Sequence, residues 1–172
     1  MTGYHVSLFS KVCLICLIFH FFGIQYTLAL DEASNYKKLG SVDTPGFASS
    51  IAISNSKGYV VESEDKMHII GISDPANPEI LGSVSIPGYV KSSIDVKNEV
   101  AYICGYNAGL QIVDVSKSED PEIITSIDTF GYAMAVEVVG KYAYVAAERN
   151  GLQVIDISNP KSPFIQGSIE TS

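Results

Sequence analysis

The chain has 172 residues, room for one domain of ordinary size. Apolar residues make up 47% and charged residues 17%, which excludes a disordered chain. Eleven basic residues against nineteen acidic ones leave a net charge of −8, which argues against a nucleic-acid partner and against docking on anionic lipid. Ten tyrosines, fourteen glycines and no tryptophan suit strands and turns better than helices.

Residues 1–11 carry Lys11 and no acid, and Val12 to Ile24 is almost wholly apolar. Thr27 and Ala29 then supply small residues ahead of Leu30-Asp31. A basic start, an apolar run and a small-residue site describe a secretory signal peptide over 1–29, a hydrophobic helix cleaved after Ala29. The run is shorter than the roughly 20 residues of a bilayer span. An uncleaved membrane anchor is the alternative, with the apolar stretch continuing to Leu30. Either way the expected location is secreted or cell surface, and a membrane contact is expected only if cleavage fails. Loss of 1–29 leaves ten basic and nineteen acidic residues, a net charge of −9. It also leaves one cysteine, Cys104, and one histidine, His68. No internal disulfide can form, so core packing and strand pairing must hold the domain. Cys13 and Cys16 have the spacing of a redox or metal pair but lie inside the apolar run.

From residue 36 onward the chain repeats. Gly46-Phe47, Gly88-Tyr89 and Gly131-Tyr132 are one landmark, their glycines 42 and 43 residues apart. Tyr59, Tyr102 and Tyr144 are a second, spaced 43 and 42. The runs 66–73, 109–116 and 151–158 align as a third. Pro78, Pro121 and Pro163 are a fourth, again 43 and 42 apart. Units of about 36–79, 80–122 and 123–164 follow, with 165–172 beginning a fourth, inside a domain of 30–172.

Each unit reads as four short strands. In the third, Ala133 to Val139 alternates, Gly140-Lys141 turns, and Tyr142 to Ala147 is a second strand. Asn150-Gly151 supplies a hairpin, since this dipeptide tolerates positive φ. Leu152 to Ile157 is nearly continuous in apolar residues, as a strand buried on both faces would be. Pro160 and Pro163 bound a loop, and Phe164 to Ile169 is the fourth strand. Four antiparallel strands in about 42 residues is the size of a propeller blade, which buries its faces only by stacking on neighbours.

Lys141-Tyr142-Ala143-Tyr144-Val145-Ala146 and Leu152-Gln153-Val154-Ile155-Asp156-Ile157-Ser158 resemble the LVIVD repeat. The second unit matches through Ala101-Tyr102 and Gly109 to Val115; the first departs at Lys66, His68 and Gly71. The resemblance covers about 36–172 and implies β-propeller blades in secreted or cell-surface proteins. It implies no shared activity and no catalytic residues.

The expected fold is therefore all-β, with β-propeller-type blades of four antiparallel strands. Counting each outer strand from the start of the next unit makes Lys38 to Asp43 a lone outer strand and 47–86, 89–128 and 132–170 three blades. Three blades form an incomplete propeller, below the four to eight of ordinary ones. The open faces imply a fragment of a longer protein, self-association with a pair of chains supplying six blades, or a stable open arc.

Chemistry-bearing residues are few. His68 takes the place of Gln111 and Gln153 and reads as a polar strand residue facing solvent or a loop. No Gly-x-Ser-x-Gly elbow, His/Cys cluster, phosphate loop or Asp-x-Asp calcium series occurs. No catalytic residue, metal or cofactor is expected. Asp114 and Asp156 recur at a strand end, where an aspartate caps a turn. The acidic stretches 62–65 and 118–120 read as solvated surface, and Cys104 as a small buried hydrophobe. Gly46, Gly88, Gly131, Tyr59, Tyr102 and Tyr144 are expected to be structural. Turns at 64–66, 107–109 and 149–151 should share one rim, where Tyr106, Asn107, Arg149 and Asn150 make a candidate binding surface. The expected function is a non-catalytic binding or scaffold module for a protein or glycan partner. The alternative is part of a larger propeller enzyme whose active site lies in further blades.

Overall fold

The computed structural model describes residues 37–63, 65–88 and 93–171, so the expected signal segment 1–29 lies outside the described residues. Among the described residues, twelve short strands build three four-stranded antiparallel sheets. The first sheet is β1 (Ala48–Ser54), β2 (Lys57–Glu62), β3 (Lys66–Gly71) and β4 (Glu79–Ser85). The second is β5 (Ile94–Lys97), β6 (Val100–Cys104), β7 (Leu110–Asp114) and β8 (Glu122–Ile127). The third is β9 (Ala135–Val139), β10 (Tyr142–Ala146), β11 (Leu152–Asp156) and β12 (Phe164–Ile169). These are β-propeller-type blades, each strand pairing only with its neighbours in sequence.

Turn chemistry sets the registers. Asn55-Ser56 (φ 48° and 58°) and Asn98-Glu99 (φ 50° and 61°) both hold two residues in the left-handed region, the pattern of a type I′ hairpin. At the third such turn Gly140 alone is left-handed, with φ 62°. Each sheet carries an irregularity at one equivalent place, Ile69/Ile70, Ile112/Val113 and Val154/Ile155, where the outermost strand joins. A bulge there increases the local twist.

The sheets and the sequence units are offset by one strand. Strand β4 completes the first sheet, and Phe164–Ile169 completes the third. Residues 38–43, expected as an outer strand, form none. A strand needs a neighbour's backbone to bond, and Gly40 instead abuts the loop at Pro75 and Ala76, where an added Cβ would lie 2.5 Å from the Pro75 carbonyl oxygen.

Period-two alternation in the second sheet feeds two cores. Ala101 and Ile103 pack with Tyr59, Met67 and Ile69 of the first sheet. Tyr102, Cys104 and Ile112 pack with Val138, Val145 and Ile155 of the third. Burying one Ile or Leu side chain contributes on the order of 1.5–3 kcal/mol, so the two cores hold the three sheets together without a disulfide. Polar ties reinforce the second junction: Val138 N–H donates to Asp95 Oδ2 at 2.7 Å, and Val136 N–H to Ser93 Oγ at 3.2 Å.

Candidate binding rim

The turns between the second and third strands form one edge of the domain. In the second sheet Gly105 N–H donates to Gly109 O at 2.8 Å and Ala108 N–H to Gly105 O at 2.9 Å. In the third sheet Ala147 N–H donates to Gly151 O at 2.7 Å and Asn150 N–H to Ala147 O at 2.9 Å, with Glu148–Asn150 forming a short 3-10 turn rather than a two-residue hairpin. Gly109 (φ 70°) and Gly151 (φ 64°) are required here, because a Cβ would run into the carbonyls of Ile127 and Ile169. The buried Gln111 and Gln153 close these turns from below, donating to Ala108 O at 2.5 Å and Asn150 O at 3.1 Å.

The linker from β8 to β9 meets these turns from the side. Ala133 N–H donates to Tyr106 O at 3.0 Å, which brings Tyr132 over Tyr106. The rings stack with centroids 4.0 Å apart and 12° between planes. Tyr106 (φ 52°) and Phe130 (φ 56°) both sit in the left-handed region, where a bulky side chain is strained by about 1 kcal/mol or more. Asp128 Oδ1 accepts from Phe130 N–H at 2.7 Å, Asn150 Nδ2 donates to Phe130 O, and the buried Thr129 hydroxyl donates to Gly131 O at 2.7 Å. The result is a fixed aromatic shelf: Phe130 is 73% exposed, Tyr132 is 40% exposed, and Tyr106 is half-buried beneath it.

Of the four residues expected at this rim, Asn107 and Arg149 are exposed, while Tyr106 and Asn150 are half-buried and tied into the loops. Phe130 and Tyr132 were missed. Tyr132 belongs to the Gly-aromatic landmark, where the aromatic recurs as Phe47 and Tyr89, and that recurrence is the signal in the sequence.

The first sheet is built differently at the corresponding place. His68 was expected to face solvent and Glu62 to be surface, and both are buried. By strand register Glu62 stands where the other sheets have Gly105 and Ala147, so its side chain enters space that they leave to backbone. Glu62 Oε1 accepts from Gly46 N–H at 2.8 Å, and Oε2 lies 3.2 Å from His68 Nε2. That distance allows an ion pair, but neither His68 ring nitrogen attains hydrogen-bond geometry. Burial pushes the Glu62 carboxyl up, but the Gly46 N–H, the Thr44 hydroxyl and His68 together hold it below its ordinary value.

The repeated residues have local tasks. Asp114 Oδ1 accepts from Ser116 N–H at 2.9 Å. Asp156 Oδ1 accepts from Ser158 N–H at 2.9 Å and its hydroxyl at 2.6 Å, and Oδ2 meets Lys141 Nζ at 3.1 Å. The Ser158 bonds chiefly, then Lys141, lower the Asp156 carboxyl to about 2. Tyr59 and Tyr102 are buried in the two cores and burial raises their phenols, whereas Tyr144 is half-buried. Gly88 and Gly131 pack against the Gly105 and Ala147 carbonyls, and Gly46 against the Glu62 carboxylate. Cys104 is buried, and burial pushes its thiol up to about 12, so it is inert as a nucleophile. A groove of about 260 Å³ lies at the opposite end of the second and third sheets, lined by Lys97, Asn98, Tyr102, Lys141, Ser158 and Pro160 among others. No group of three metal-ligating side chains occurs among the described residues.

A family model described as the LVIVD repeat matches residues 45–85, 87–129 and 130–171. No curated protein matches this sequence. Among solved structures, a structural genomics protein of unknown function from Bacteroides thetaiotaomicron is similar at 13% identity and a TM-score of 0.52, over 74% of this chain and 33% of that one. The N-terminal domain of Nup159 is similar at 18% identity and a TM-score of 0.49, over 72% of this chain and 35% of that one. The chain thus spans about a third of the length of these structures.

Proposed function

The chain belongs to the LVIVD repeat family, and from that premise we propose that it is a non-catalytic binding module at the cell surface or in the secreted fraction. The apolar start of the chain supports the location. The observation that carries the binding role is the Tyr106–Tyr132 stack, an aromatic shelf beside exposed Phe130, Asn107 and Arg149. Stacked aromatic faces are amphipathic, rigid and cheap to order, which suits them to a protein or glycan partner. Strained backbone at Tyr106 and Phe130 also fits a loop selected for what it displays.

The test is binding of the purified protein to arrayed glycans and arrayed cell-surface protein domains, beside a Tyr132→Ala variant. Specific signals that fall at least roughly tenfold in the variant, with thermal unfolding unchanged, are expected for a rim that carries the contact energy. Equal binding by both proteins would remove the rim from the reading.

A further inference from the structure

The junction between sheets is used twice within the chain, and half of a third junction stands ready. Strand register places Tyr59, Tyr102 and Tyr144 at one equivalent position, Met67, Leu110 and Leu152 at a second, and Ile69, Ile112 and Val154 at a third. A fourth set is Val84, Ile127 and Ile169, each opposite the second. In the first two sheets these side chains pack in the cores against the following sheet. In the third sheet the same apolar set persists, yet Tyr144, Leu152 and Val154 are only half-buried and Ile169 is 66% exposed. Val139 and Phe164 extend this face, at 57% and 52% exposure.

The opposite half of the junction lies on the first sheet. Ile94 and Val96 present the second sheet to the first, and Val136 and Val138 present the third to the second. Their register equivalents are Ile51 and Ile53, both 60% exposed, where Ile94 is 7% and Val136 6% exposed. The positions of the polar tie recur as well. Glu137 occupies the position of Asp95, whose carboxylate accepts from Val138 N–H, and Ile53 occupies the position of Val138.

We propose that the open face of the third sheet receives the first sheet of a second copy of this chain, head to tail, in the register of the two internal junctions. A face with this pattern of apolar side chains, and a carboxylate placed for that backbone N–H, is matched by the chain's own first sheet. The interface is heterologous, so copies add in one direction, as a closed ring or an open series.

Light scattering on a sizing column tests this with protein purified from the whole reading frame, in mild detergent throughout. The wild type should elute as discrete multiples of the chain mass, more so as concentration rises. Ile169→Lys spoils one half of the junction and Ile53→Lys the other. Both sites are exposed, so unfolding midpoints should hold, while a buried lysine should weaken association at least roughly tenfold and leave each variant monomeric. Mixed in equal amounts, the two variants should form a dimer of one copy of each, since each retains the half the other has lost. A wild type that stays monomeric, variants that associate as well as wild type, or a mixture that stays monomeric would each overturn the proposal.

Discussion

The first sheet and the two that follow it close the same turn with different chemistry. In the second and third sheets a buried glutamine donates to a turn carbonyl, and the residue beneath the turn, Gly105 or Ala147, keeps out of the way. In the first sheet the glutamine is His68, the small residue is Glu62, and the carboxylate turns outward to hold Gly46. A neutral amide does not titrate and is indifferent to pH. An acid–base pair fixes the incoming chain at Gly46 but depends on each member for the other's burial. Equivalent backbone geometry therefore does not imply equivalent energetics, and the difference can be measured within one molecule.

The largest effect should come from Glu62→Ala. It strips the buried His68 of its ionic neighbour and the Gly46 N–H of its acceptor, and should lower unfolding stability by about 2–3 kcal/mol in urea titrations. Adding His68→Gln converts the site to the Ala/Gln pattern of the third sheet and should recover about 1 kcal/mol. A double variant no more stable than the single one would mean that the two designs are not interchangeable. Gln111→Leu comes next. It leaves the Ala108 carbonyl without its side-chain donor and should cost about 1–2 kcal/mol.

Much of this architecture was legible because the repeat is strict. Four landmarks at one period located the strands, and the run from Leu152 marked the third strand of a blade. Asp156 reads as a turn-capping type, and its carboxylate accepts from Ser158. What escaped depends on neighbours that periodicity does not specify. The buried Glu62–His68 contact is hidden when either residue is taken alone. Seen together, two polar departures at adjacent-strand positions of one sheet are a signal. The Tyr106–Tyr132 stack joins two sheets through a left-handed tyrosine, a conformation that no residue pattern indicates. Residues 38–43 have the sequence of a strand but pair with none, and Gly40 packs against the Pro75–Ala76 loop instead.

The smallest effect is the acid dependence, and it isolates the contribution of Glu62. The Glu62 carboxyl is held below its ordinary value in the folded protein, so its ionised form favours folding. That contribution is fully present above the unfolded pKa, about 4.3 for a glutamate, and is lost as pH falls through the lower folded value. Asp114 and Asp156 act with the same sign, and Asp156, held at about 2, keeps its charge to lower pH. Unfolding midpoints followed from pH 7 down to 3 should fall for the wild type. The fall should be shallower for Glu62→Gln, which cannot titrate, and unchanged for Gln111→Leu, whose site carries no ionisable group. If Glu62→Gln tracks the wild type across that range, the first sheet's pair is not the source of its acid sensitivity, and the turn-capping aspartates Asp74, Asp114 and Asp156, all held below their ordinary value, are the remaining candidates.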